Sequence, residues 1–140
     1  MNIISVYIEF WEYFRIFGSK TIEIIESESA WNFKVSQSEF SIIQTFDHTI
    51  KAIFEDAGTW FLKDSKKYQP SMDPKNNLNQ AIDRMIEAIR NFDNKKLGEE
   101  ITFQWGEQTT VKDAIKQNIF HAINHFGQLR ERVGILKRMI

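Results

Sequence analysis

Ile4, Ile8, Trp11, Gly18 and Ile22 recur at intervals of three, four and seven residues, with Phe14 or Arg15 filling the gap. That spacing marks one face of a helix and predicts it over about Ile3 to Glu26. Polar residues from Ser27 to Ser36 break the pattern around Trp31 and Phe33. Ser36-Gln37-Ser38-Glu39 fits a capping box, in which serine and glutamate side chains satisfy reciprocal backbone donors, so a second helix is expected from there to about Lys63. Its stripe is Phe40, Ile43, Phe46 or Asp47, Ile50, Phe54, Ala57 and Phe61. A polar loop with Pro70 follows. Asp73-Pro74 then pairs a side-chain cap with proline at the first helical position, where its missing N–H costs nothing. Leu78, Ile82, Met85, Ile86 and Ile89 continue that third helix to near Phe92.

Asp93 to Thr110 is the longest irregular stretch. Ile101, Phe103 and Trp105 alternate with polar residues ahead of Gly106. A short strand or hairpin would fit, but one such piece cannot make a sheet, and the stretch reads as a long ordered connection. Thr110 caps a fourth helix whose apolar side is Ile115, Ile119, Ala122, Phe126, Leu129, Val133 and Leu136, running to the C-terminus. Four amphipathic helices in 140 residues must bury their stripes against each other. The expectation is an all-α, single-domain four-helix bundle over residues 1–140.

Composition narrows the function classes. Eighteen basic and 19 acidic residues are interspersed for a net charge of −1, which offers no basic face to a phosphate backbone, so no nucleic-acid partner is expected. No apolar stretch approaches the roughly 18 residues of a membrane span, and the apolar N-terminus carries Glu9, Glu12 and Arg15, unlike a signal peptide. A cytoplasmic protein without a membrane partner is the expectation. Cysteine is absent, which removes disulfides, thiolate metal sites and cysteine nucleophiles.

Histidine is the remaining candidate chemistry. His121 and His125 lie four apart on the fourth helix, one turn apart on one face. Neutral imidazole is a common ligand for zinc, nickel, copper and iron, but two ligands rarely suffice. The third histidine, His48, sits mid-way along the second helix and shares its face with Ser41, Thr45, Ala52 and Glu55 or Asp56. The face of His121 and His125 holds Ala114, Asn118, Gln128 and Arg132. Turned together, two such small and polar faces would line a wet cavity, and three ligands would leave coordination positions open for water or substrate. The alternative is a solvent-facing histidine pair, which helices often carry by chance.

The segment His121-Ala-Ile-Asn-His125-Phe-Gly127-Gln128-Leu129 resembles the last-helix signature of the DinB/YfiT-like superfamily: His, three residues, His, then Arg-Gly-Gln and an apolar residue. Phe46-Asp47-His48 resembles the second-helix motif of that family, and helix order and length are also similar. The resemblance implies an up-down-down-up bundle, usually a homodimer. It also implies a divalent ion on His48, His121 and His125, zinc or nickel foremost and iron also compatible. Phe126 departs from the pattern, standing where the family usually has arginine, so any anion-binding or subunit-bridging role of that cation is in doubt.

The resemblance further implies a metal-dependent enzyme acting on a small molecule, a thiol-dependent S-transferase with a low-molecular-weight thiol as cofactor. Gln128 is then a candidate partner behind His125. A metal-dependent hydrolase is the alternative, with Asp47, Glu55 or Asp56 as base. A third reading is a non-catalytic metal- or small-molecule-binding bundle. Trp31, Phe33, Phe103 and Trp105 would either rim a pocket or cap the ends of the core. The first helix, through Ile4, Tyr7, Trp11, Phe14 and Phe17, is the candidate dimer face.

Overall fold

Asn2 begins the first helix, its side-chain oxygen accepting from the Ile4 amide at 3.0 Å. The computed structural model describes residues 2–140. Helix α1 spans Ile3–Ser27, α2 Ile42–Asp56, α3 Pro74–Arg90 and α4 Val111–Met139. A π-helical turn, Ala57–Leu62, continues α2, and a hairpin of β1 (Glu100–Thr102) and β2 (Gln108–Thr110) precedes α4.

The connections fix the direction of each helix. Trp31, just past α1, packs edge-on against Phe46 near the start of α2, so α2 runs antiparallel to α1, across the bundle from it. From Lys63 the chain has no regular structure and retraces α2. Tyr68 packs on Phe54 and donates its backbone N–H to Glu55 at 3.2 Å. Asn77 then accepts from the Ser71 amide at 2.8 Å, beside Ile43 and Phe46. An extended chain covers about 3.3 Å per residue, so this short segment returns the length of α2 and α3 starts parallel to it. Tyr7 beside Ile119, Phe14 on Phe126 and Arg130 on Thr21 follow in the same order along both helices, which sets α4 parallel to α1. The order is up-down-down-up: α1 and α2 each pack on α3 and α4.

The core between these four helices holds Trp11, Phe14, Phe46 and Phe126, all essentially solvent-free. Phe14 and Phe46 each meet the Phe126 ring, at 4.9 and 5.7 Å between centroids. Phe126 therefore fills the centre of the bundle. Ile4, Tyr7, Trp11 and Phe14 also point into this core, so they are not a dimer face; the apolar α1 residues left exposed are Phe10, Tyr13 and Ile16.

Three local expectations need correction. The capping box is not at Ser36 but at Ser41, which accepts from the Gln44 amide at 3.2 Å while Gln44 Oε1 accepts from the Ser41 amide at 2.8 Å. Both sites match the local pattern. The later one is used because the Ile42 and Ile43 amides bond to Phe33 and Trp31 carbonyls and Ile42 is fully buried. Phe40 consequently precedes the helix and stays 59% exposed.

The second correction is the π turn, where a regular helix to Lys63 was expected; Lys63 itself ends it with φ 59°. The third is the stretch before α4, which is a true antiparallel hairpin with Ile101 opposite Thr109. Gly106, at φ +92°, supplies the left-handed residue of its turn. β2 is Gln-Thr-Thr, with no apolar alternation to announce it. Ile101 and Phe103 are buried beneath it, so packing on the bundle stabilises a ribbon that would be marginal alone.

Candidate metal centre

The antiparallel pairing of α2 and α4 brings the two polar faces into one groove. Arg132 bridges them at one end, donating to Thr45 Oγ1 at 2.8 Å. Between lie the three histidines. One ligand nitrogen from each of His48, His121 and His125 falls within 4.8 Å of the others. His125 Nε2 is 2.9 Å from His121 Nε2, and the His48 ring is 6.1 and 6.4 Å from theirs between centroids. The expected convergence is present.

The donor set suits a divalent ion. His125 Nδ1 is 3.0 Å from Gln128 Oε1. A carbonyl oxygen can only accept, so Nδ1 carries the proton and the Nε2 lone pair faces the other rings. Desolvation in the groove, then His125 and His48 nearby, lower the His121 pKa. All three causes favour neutral imidazole, the form that ligates. His48 and His121 are exposed and His125 half-buried, so the group is open to solvent.

Surface hollows flank the triad. On the His48 side are Asp47, Lys51, Glu55, Lys67 and Tyr68. Glu55 is engaged there by Lys67 and the Tyr68 amide, and desolvation raises the Asp47 pKa. On the His121 side is a cavity of about 110 Å³ lined by Asp56, Trp60, Trp105, Gln117 and Asn118. Burial pushes the Asp56 carboxyl up to about 6, against the lowering effect of the Gln104 and Asn118 amides beside it. Of the three carboxylates named from sequence, only Asp56 shares a cavity with His121.

The connecting-segment aromatics divide. Trp31 and Phe33 pack against the core and Phe103 is buried in it, whereas Trp105 is 58% exposed and lines the cavity. Trp60 and Gln104 were not foreseen. Trp60 donates its indole N–H to Gln104 Oε1 at 2.9 Å, clipping the hairpin turn to the end of α2. Counting turns of an ideal helix from His48 leads to Thr59; the π turn adds a residue and brings Trp60 round instead.

No helix among the described residues is long and apolar enough to cross a membrane. No curated protein matches the sequence. A solved structure titled a DinB-like protein, YjoA from Bacillus subtilis, superposes with a TM-score of 0.74 at 14% identity, over 94% of this chain and 92% of that one. At that identity the likeness establishes the fold. The family model described as the DinB superfamily matches residues 20–129, a span that takes in α2, the hairpin and all three histidines. With most of its length matched and that fold shared, the chain belongs to the DinB superfamily.

Proposed function

We propose that this protein is a divalent-metal-dependent enzyme using a low-molecular-weight thiol, with zinc or nickel held by His48, His121 and His125. The convergence of three imidazole nitrogens within 4.8 Å carries the reading. A divalent ion on neutral imidazoles acts as a Lewis acid and lowers the pKa of a thiol bound to it, which supplies thiolate at neutral pH. The absence of cysteine from the chain is compatible with this, because the thiol would come from a small molecule. Gln128 holds the His125 ring in register, and the flanking hollows admit thiol and electrophile. Hydrolysis is the second reading, favoured by Asp56, whose raised pKa suits a general base.

Elemental analysis of purified protein beside His121→Ala tests the metal. About one ion per chain is expected, lost in the variant, with a rise in Tm on adding zinc or nickel. No bound ion and no shift in Tm would remove both catalytic readings. Zinc-loaded protein should then speed conjugation of a small thiol to a chromogenic electrophile. If it hydrolyses activated esters instead, and Asp56→Asn abolishes that rate, the second reading replaces the first. A homodimer built through α1 would use Phe10, Tyr13 and Ile16, and sedimentation of Tyr13→Glu reads that directly.

A further inference from the structure

The cavity beside His121 holds one carboxylate and no cationic side chain among its lining residues. Its walls are the indoles of Trp60 and Trp105. Trp105 is exposed yet fixed from behind, stacked on buried Phe103 at 4.5 Å and tied by its N–H to Glu107 at 3.0 Å. Its polar lining includes the Asp56 carboxylate, which has no ion pair among the described residues and faces only the neutral side-chain amides of Gln104, at 3.4 Å, and Asn118. Beside it is Asn118, 95% buried by its 5% exposure, whose Oδ1 has no hydrogen-bond partner. Among the described residues no lysine or arginine lines the cavity; Lys51 and Lys67 belong to the hollow on the His48 side. A carboxylate that faces only neutral amides, with no cation to offset it, and two indole walls suit a small cation that carries N–H donors.

We propose that the Asp56–Asn118–Trp60–Trp105 cavity is a binding subsite for a protonated primary amine. The ammonium donates to the Asp56 carboxylate, and its alkyl stem lies against the indole faces, where a cation is also attracted by the rings. Carboxylates and phosphates are disfavoured there, because Asp56 repels them and no cation offsets it. The subsite opens beside His121, so an amine seated in it belongs to the substrate or thiol that reacts at the histidines. That last step rests on the metal-centre reading, while the binding itself does not.

The test follows tryptophan fluorescence of metal-free protein at pH 7.5 and constant ionic strength, titrated with n-butylammonium, n-butanol and butyrate. Saturable quenching by butylammonium is expected, with affinity about tenfold above butanol, the size of one charge-assisted hydrogen bond, and butyrate weakest. Asp56→Asn should erase the preference, Trp105→Phe should remove most of the quench, and Glu55→Gln, a neighbouring carboxylate lining the opposite hollow, should change neither. Equal affinities for the three ligands in the native protein, or a preference surviving in folded Asp56→Asn, would overturn the proposal. Zinc affinity, read separately by competition with a chromophoric chelator, should be unaltered by Asp56→Asn. Native protein that shows the amine preference but binds no zinc would overturn the metal centre alone.

Discussion

His125 turns its Nδ1 onto the Gln128 side-chain oxygen, 3.0 Å away on the next turn of α4. The contact selects the tautomer and the ring plane together, and leaves Nε2 for the groove. Groups standing behind a ligand in this way typically contribute a factor of about 10–100 to metal affinity. Gln128→Leu should keep the fold and weaken zinc binding by about that factor, measured by chelator competition. Gln128→Glu, which retains an acceptor, should restore most of it. Equal affinity in Gln128→Leu would make the contact incidental.

Phe126 immediately follows His125 but points the other way, into the core against Phe14 and Phe46. Truncating such a ring leaves a cavity that a packed interior cannot close. Phe126→Ala should lose about 3–5 kcal/mol of stability in urea unfolding. Phe126→Arg, the residue usual at this place in the resembled family, would bury a charge without a partner and should not yield folded protein. A folded Phe126→Arg variant would show that this place is less closed than the packing indicates.

The fold was legible because its signals were redundant. Stripes such as Leu78-Ile82-Met85-Ile89 and the Asp73-Pro74 start each specify a helix without help from elsewhere. The histidine centre was legible through spacing and family likeness together, since spacing alone leaves His48 unplaced. What stayed hidden depended on distant contacts. Two serines offered equivalent caps, and the burial of Ile42 chose between them. The polar strand Gln108–Thr110 exists because Ile101 and Phe103 are held beneath it. Trp60 entered the cavity through a change of helical phase that no residue type in Ala57–Leu62 announces.

Gly58 shows what sustains that phase change. A Cβ there would overlap the Arg84 guanidinium and the Asp64 carboxylate, which pair across the turn. Arg84 also donates to the Phe54 carbonyl at 3.0 Å and stacks on the Phe54 ring, filling the room beside the widened turn. Gly58→Ala must swing these two side-chain ends aside, and because the Asp64 end is exposed and free to move the cost should be about 1 kcal/mol, the low end of overpacking. The loss should appear in urea unfolding, with fluorescence of Trp60 shifted to the red as its clip to Gln104 loosens. An unchanged midpoint and spectrum would mean that the cluster yields freely.

Asp56 makes the pH dependence of stability a test of its environment. Its carboxyl is held up at about 6 by burial, above the 3.8 of a free side chain. Between those values the folded chain keeps a proton that the unfolded chain has released. The stabilisation is therefore complete below about 3.8 and is lost as pH rises through about 6. Asp56→Asn carries no titrating group and has no such loss. In metal-free protein its advantage over the native chain should be small at pH 4, grow through pH 6, and level off above. Two pH units correspond to nearly 3 kcal/mol at most, and solvent access to the partly exposed side chain brings the expected plateau to about 1–2 kcal/mol. The other titrating groups are common to both chains and cancel in the difference. An advantage that stays flat from pH 4 to 8, or that shrinks as pH rises, would place the carboxylate in contact with water or a cation instead of the dry wall beside Trp60.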